Sequence, residues 1–119
     1  MYEIEFFEDK NGHSEIADLL RTLKEQGKSN KESRINLNKI IAYMDLLEEK
    51  GTRIGEPVTK HLDGKIWELR PLKNRILYAY YRENKFIMLH YFIKKTKKTP
   101  KKEINKAKRN LEIFLERNG

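Results

Sequence analysis

Charged and aromatic side chains alternate with apolar ones in the second half of the chain, as they do on β-strands with two different faces. Alternation puts Glu68 and Arg70 on one face of a predicted strand Ile66–Leu72. The two following predicted strands add more such residues, so the candidates for one sheet groove are Glu68, Arg70, Arg75, His90, Phe92 and Lys94. Cations neutralise phosphate and aromatic rings stack on bases, so this set favours single-stranded RNA, provided that the strand register brings it together.

Such residues suit RNA cleavage because RNA supplies its own nucleophile, the 2′-hydroxyl, which a protein need only align while stabilising charge. A guanidinium binds two phosphate oxygens at once, which makes Arg70 and Arg75 the candidates for the phosphate. Lys94, crowded by cations, is a candidate for proton transfer, and Glu68 and His90 are rival candidates for the general base. No cofactor or metal is predicted, since the chain has no cysteine and only three scattered histidines.

Each residue also has a simpler structural interpretation. Glu68 and Arg70 can form a solvated ion pair, which contributes little to stability. Trp67 and the tyrosines are typical of a core, and His90 lies within an apolar strand where a packed histidine is common.

The segment from Lys94 to Arg109 holds nine cations and one acid, a surplus that equals the net charge of +8 of the whole chain. A positive field focused on one segment favours a polyanion, and nucleic acid is the leading candidate. Lys101 and Lys102 fall in the first turn of a predicted helix, where the helix dipole disfavours cations and a bound anion would relieve the conflict. The residues predicted to contact RNA here are Lys95, Lys97, Lys98, Lys101 and Lys102, together with Phe92.

The elements that position these residues follow from apolar periodicity. Tyr2–Phe7 is predicted to be a short strand, and two amphipathic helices follow it. Ser14 caps the first helix, which stops at Gly27. Ser29 is expected to cap the second through a capping box with Glu32, and Gly51 stops it.

In the second half the period changes to that of strands, with turn signals between them. The predicted strands are Val58–Leu62, Ile66–Leu72, Ile76–Arg82 and Phe86–Ile93. A last helix is predicted from Pro100, with Thr99 as its cap. The order β-α-α-β-β-β(-β)-α predicts one α+β domain over 1–119, an antiparallel twisted sheet with helices against one face.

The N-terminus lacks the basic region and the long apolar core of a signal peptide, and no segment approaches the roughly 20 apolar residues of a membrane span. The sequence therefore predicts a cytoplasmic protein.

Several motifs in this half resemble a known family. Leu62–Arg70 contains the letters WELR, Arg75–Tyr78 follows, and Phe92–Pro100 contains KKTKKTP before Glu103, Ile104 and Ala107. Together they resemble the phage-derived HigB-like toxins of the RelE superfamily. The match is dense from about residue 60 to 109, and the N-terminal half shares only the strand-helix-helix pattern.

The resemblance implies a RelE-like fold and a toxin of a type II toxin–antitoxin pair. Such toxins are endoribonucleases that cut translated mRNA on the ribosome without a metal. A cognate antitoxin, in HigB-like systems usually a helix-turn-helix protein of the HigA kind, holds them inactive.

Carried over residue by residue, Arg70 and Arg75 match the sheet arginines that face RNA, and Lys94 or Lys95 matches the cation at the end of the last strand. Phe92 stands where an aromatic or apolar residue is usual. The chain has no clearly placed equivalent of the C-terminal tyrosine or histidine that some relatives use as base. Two alternatives stay open: a ParE-like toxin that inhibits a protein such as gyrase, and a non-catalytic nucleic-acid-binding domain.

Overall fold

The computed structural model describes residues 1–118, which form three helices around one five-stranded sheet. The elements are β1 (Glu3–Phe6), α1 (Glu15–Gln26), α2 (Lys31–Lys50), a 3-10 turn (Gly51–Ile54), β2 (Thr59–Asp63), β3 (Ile66–Leu69), β4 (Asn74–Tyr81), β5 (Lys85–Ile93) and α3 (Lys101–Asn118). This order confirms the predicted α+β class and is consistent with a RelE-like fold.

The strands lie in the order β1-β5-β4-β3-β2. Strands β2 to β5 form the predicted antiparallel meander, but β1 pairs with β5 in parallel, so the sheet is mixed. The helical hairpin α1–α2 carries the chain from β1 at one edge of the sheet to β2 at the other.

The helices cover both faces of the sheet, and the prediction that they pack against one face is wrong. The hairpin α1–α2 packs on the face that carries Ile76 and Tyr78, whereas α3 packs on the face that carries Leu77 and Ala79. All four of these β4 residues are fully buried. A strand with apolar side chains on both faces needs a cover on each, and the last helix supplies the second one.

Side-chain caps set where the first two helices begin. Ser14 caps α1 as predicted and accepts the N–H of Ala17 at 3.1 Å. The cap of α2 is Asn30, not Ser29, and it accepts the N–H of Ser33 at 3.1 Å. The predicted capping box therefore lies one residue out of register, because the asparagine is an equally good cap one position later.

Strand β5 contains a bulge that changes which of its residues share a face. Leu77 pairs with His90 while Tyr78 pairs with Met88, so Leu89 is left over between them. Leu89 packs in the α3-side core, and its carbonyl accepts the side-chain amide of Asn110 at 2.8 Å. Strict alternation along the predicted strand Phe86–Ile93 and into Lys94 puts Phe86, Met88, His90, Phe92 and Lys94 on one face. That prediction is wrong for the first two, which pack under the hairpin, because a bulge inserts one residue into the two-residue period.

Within residues 1–118, no helix has both the length and the apolar character needed to cross a membrane.

Candidate functional site

A cavity of about 210 Å³ opens between strand β2, the ends of β3 and β4, and the segment Lys94–Pro100, here called the lysine loop. Eight of the eleven predicted site residues line it, namely Glu68, Arg70, Arg75, Phe92, Lys94, Lys95, Lys97 and Lys98. Their convergence comes from the strand pairing, in which Arg75 stands opposite Phe92 and Leu77 opposite both Glu68 and His90.

Glu68 lies at the floor of this cavity and is only 1% exposed. Its Oε1 is 3.4 Å from Nε of Arg70 and 3.9 Å from Nε of Arg75, and its Oε2 accepts the hydroxyl hydrogen of Thr99. A buried carboxylate is stable only with such partners. Glu68 and Arg70 are therefore not the solvated ion pair of the simpler interpretation.

Thr99 consequently does not cap the last helix as predicted. The helix begins at Lys101, and the carbonyl of Pro100 accepts the N–H groups of Glu103 and Ile104 at 3.0 and 3.3 Å. The hydroxyl of Thr99 instead ties the end of the lysine loop to Glu68. A hydrogen bond to a carboxylate is stronger than one between neutral groups, which favours this inward orientation of the hydroxyl.

Arg75 is 6% exposed and is fixed by the turn that precedes β4. Its Nη1 donates to the carbonyls of Leu72 at 2.9 Å and Asn74 at 2.8 Å. Burial lowers the pKa of Arg75, Glu68 opposes that change, and the positive charge of Arg70 adds to it. The guanidinium nevertheless stays charged at any physiological pH.

Arg70 is the more accessible of the two arginines, with 22% of its side chain exposed. Its Nη1 lies 3.6 Å from Oε1 of Glu56, an exposed acid at the rim. Arg70 is therefore the more accessible arginine of the cavity, and Arg75 forms the more rigid part of the wall.

The lysine loop borders the cavity with the exposed side chains of Lys94, Lys95, Lys97 and Lys98. Its first residue is held by the N–H of Lys94, which donates to the carbonyl of Lys73 at 2.8 Å. Its middle is tightened by the hydroxyl of Thr96, which donates to the carbonyl of Lys98 at 2.7 Å. The cations thus stand on a loop that is tied down at several points.

Lys101 and Lys102 lie in the first turn of α3, as predicted, but outside this cavity. Lys102 lines a neighbouring cavity of about 410 Å³ on the other side of the loop, which it shares with Phe92, Ile93 and Lys95. Both lysines are exposed.

Lys60 lines the cavity and was missed by the sequence interpretation. It stands directly opposite Glu68 in the β2–β3 pairing, so its side chain leaves the sheet on the same face. The hairpin signal after Leu62, combined with alternation, could have identified this cation. His61, its neighbour, also lines the cavity, and its ring packs on Trp67 with ring centroids 5.1 Å apart.

The structure does not bring His90 into the cavity. His90 is 4% exposed and lies between two carboxylates, with Nδ1 2.9 Å from Glu15 and Nε2 2.8 Å from Glu103. Burial by itself lowers the pKa of His90, but the hydrogen bonds to Glu15 and Glu103 outweigh it, and the pKa lies above the usual value. Its ring stacks on Phe92, with centroids 5.9 Å apart and an angle of 26° between the planes. His90 therefore touches the cavity only through Phe92.

Glu15 is the partially exposed end of this cluster. Burial raises the pKa of Glu15. The hydrogen bond and charge of His90, together with the charge of Lys106, lower the pKa by a larger amount, so it lies below the usual value. The cluster as a whole joins the start of α1 and the first turn of α3 to strand β5.

No group of three or more histidine, aspartate or glutamate side chains within residues 1–118 is arranged to hold a metal ion.

The model of the family described as phage derived protein Gp49-like (DUF891) matches residues 28–112, and the chain belongs to this family. The family is linked to RelE-like toxins, so this is a phage-derived, toxin-like protein. The match includes every residue of the cavity described above. No curated protein matches the chain.

Proposed function

We propose that this protein is the toxin of a type II toxin–antitoxin pair and that it cleaves mRNA on the ribosome without a metal. The observation that carries the proposal is the cavity in which one buried carboxylate organises two arginines beneath a rim of lysines. Family membership and the α+β fold support the toxin assignment. A HigA-like helix-turn-helix antitoxin is the proposed partner, and the cytoplasm, where ribosomes translate, is the proposed place of action.

In the proposed mechanism the scissile phosphate enters between Arg70 and the lysine loop. The guanidinium groups of Arg70 and Arg75 stabilise the charge that develops on the phosphate oxygens as the 2′-hydroxyl attacks phosphorus. Lys60 and the loop lysines hold the flanking phosphates, and Phe92 offers a ring for a base.

Of the two candidates for the general base, Glu68 alone lines the cavity. Its Oε1 faces the arginines at 3.4 and 3.9 Å, longer than charge-assisted hydrogen bonds, so this oxygen retains lone pairs for a proton. In our proposal it accepts the 2′-hydroxyl proton, and the ammonium group of Lys94 gives a proton to the departing 5′-oxygen. His90 acts as a positioning residue that holds Phe92 and the start of α3.

The proposal predicts that the purified protein, freed of any bound metal with EDTA before the assay, cuts mRNA on translating ribosomes. Attack by the 2′-hydroxyl can leave only a 2′,3′-cyclic phosphate and a 5′-hydroxyl. The measurement is the mapping of cleavage ends on a reporter mRNA, with and without ribosomes. We expect cleavage with ribosomes only, because the ribosome supplies the alignment of the substrate.

Three other outcomes contradict parts of the proposal. Equal cleavage of free RNA removes the ribosome dependence, and ends that carry a 5′-phosphate and a 3′-hydroxyl point to an activated water. Intact mRNA together with inhibited DNA supercoiling supports the ParE-like alternative.

A further inference from the structure

A second surface of the protein is apolar and lies beside the cavity that is proposed to bind RNA, here called the RNA cavity. Three aliphatic side chains project there from different elements, namely Ile35 of α2, Leu72 of the β3–β4 turn and Ile93 at the end of β5, with 49%, 50% and 52% of their surface exposed. They border a cavity of about 650 Å³, here called the apolar groove. Contiguous exposed aliphatic surface of this kind is typical of a binding site rather than of bulk surface.

Leu72 is held outward by the backbone. Its φ angle is +60°, in the left-handed region that residues other than glycine adopt rarely. The same residue presents its carbonyl to Nη1 of Arg75 at 2.9 Å. One turn therefore serves the arginine of the RNA cavity and at the same time exposes a leucine to the apolar groove.

The lining of the groove suits a polypeptide better than RNA. Its charged residues are one acid, Glu32, and one base, Lys73, so it offers no net attraction for phosphate. The remaining lining consists of aliphatic side chains and neutral polar groups, such as the amides of Asn30 and Asn36. Aliphatic side chains of a helix pack on such a surface, while its amides satisfy polar groups at the edge.

The groove continues directly into the lysine loop. Ile93 precedes Lys94 in the chain, and the N–H of Lys94 donates to the carbonyl of Lys73 on the groove wall at 2.8 Å. Ile93 also lines the neighbouring cavity with Lys95 and Lys102. A partner seated on the aliphatic side chains thus meets a dense cluster of cations, which favours carboxylates at one end of the partner.

We propose that the apolar groove is the docking site for an amphipathic helix of a partner protein, with aliphatic side chains on one face and acidic residues reaching the lysine loop. In the proposed function this partner is the antitoxin, and to that extent the inference rests on it. Bound there, the helix packs on Leu72, whose carbonyl positions Arg75, and its carboxylates compete with RNA phosphate for the loop lysines. Docking and inhibition then share one surface.

The probe is the proposed helix-turn-helix antitoxin, to be identified as a reading frame adjacent to this gene. The test compares two substitutions on the same helix. Ile35→Asn alters the groove, whereas Ile41→Asn alters an aliphatic residue that is 42% exposed and lies outside the groove lining. Titration calorimetry should show affinity lowered at least about tenfold by Ile35→Asn and unchanged by Ile41→Asn. Raising the salt concentration should weaken the wild-type complex, because the loop lysines contribute.

Cleavage by Ile35→Asn in the absence of the partner should equal that of the wild type, which separates the docking site from the RNA site. Equal affinity of both variants and the parent overturns the inference, as does equal weakening by both substitutions. Failure of the neighbouring gene product to bind at all overturns it too. If the free protein self-associates in ultracentrifugation and Ile35→Asn abolishes this, the groove is covered by a second copy of the chain. If all variants bind as expected but none cleaves RNA, the docking site stands and the proposed activity fails.

Discussion

Nε2 of His90 lies 2.8 Å from Oε1 of Glu103, and this hydrogen bond ties the central part of the sheet to the first turn of α3. At the end of the lysine loop, the hydroxyl of Thr99 donates a hydrogen bond to Glu68 on β3. Two side-chain hydrogen bonds thus fix the end of the loop and the start of the helix after it. The cations that line the cavity depend on these bonds for their position.

The first prediction concerns pH. The pKa of His90 is raised in the folded protein, because its hydrogen bonds to Glu15 and Glu103 outweigh burial. A group with a raised folded pKa contributes stability that is full below its unfolded value and is lost as the pH rises through the folded value. The free energy of unfolding should therefore fall as the pH rises above the ordinary histidine value, and His90→Gln should flatten this decline.

Urea unfolding at pH values from about 5.5 to about 9 measures how the free energy of unfolding changes with pH. His13→Gln, which changes an exposed histidine, serves as the control. The contribution of Glu15 to stability depends on pH in the opposite direction. Because its pKa is lowered in the folded protein, this contribution is lost as the pH falls through the lowered value. A decline that persists unchanged in His90→Gln would show that His90 is not the group responsible for it.

The second prediction separates the two arginines. Arg70→Ala should lower mRNA cleavage by about a hundredfold to a thousandfold, since removal of one charge-stabilising donor has this effect. It should also destabilise the fold, because Arg70 pairs with buried Glu68, but less than Arg75→Ala does, since Arg70 is the more exposed of the two. Arg75→Ala should lower cleavage as much and also destabilise the fold by about 3 kcal/mol, because it breaks a buried ion pair. Cleavage rates measured beside chemical unfolding check both effects, with Arg21→Ala, at an exposed position of α1, as control.

The third prediction concerns Glu68 and Thr99. Glu68→Gln removes the proposed base and the charge between two arginines, so cleavage should nearly cease. Thr99→Val keeps the volume but leaves Oε2 of Glu68 without its hydroxyl, and it should cost about 1–3 kcal/mol of stability. If Glu68→Gln cleaves at the wild-type rate, this carboxylate only positions the arginines and the base lies elsewhere.

The fourth prediction concerns the lysine loop. Substitution of Lys97 and Lys98 by Gln should weaken binding to single-stranded RNA, because each lysine that binds a phosphate releases counterions from it. The slope of log affinity against log salt should decrease by roughly 0.7 for every phosphate that the variant no longer neutralises. The matched control replaces Lys39 and Lys50, two exposed lysines of α2. Filter binding at several salt concentrations gives the slopes. Equal slopes for the loop variant and the control variant would show that the loop lysines do not contact phosphate.

The sequence by itself predicted the features that depend on residues close together in the chain. Alternation along a strand puts Glu68 and Arg70 on one face whatever the rest of the fold does, and both line the cavity. The cap of α1 at Ser14 is likewise local, since it satisfies a backbone N–H group within one turn. The start of the last helix next to Pro100 is local too, because it depends on the residues of its first turn. For the same reason the order of the elements was predictable.

Tertiary structure decided what depends on residues far apart in the chain. Thr99 bonds to Glu68, 31 residues away, and His90 bonds to Glu15, 75 residues away. The bulge at Leu89 depends on how β5 pairs with β4 and where Asn110 of α3 meets it, so no period within β5 could reveal that His90 leaves the phase of Met88. Such features are decided by packing between elements. The alternation of a strand depends on its own residues, whereas its register depends on the strand with which it pairs.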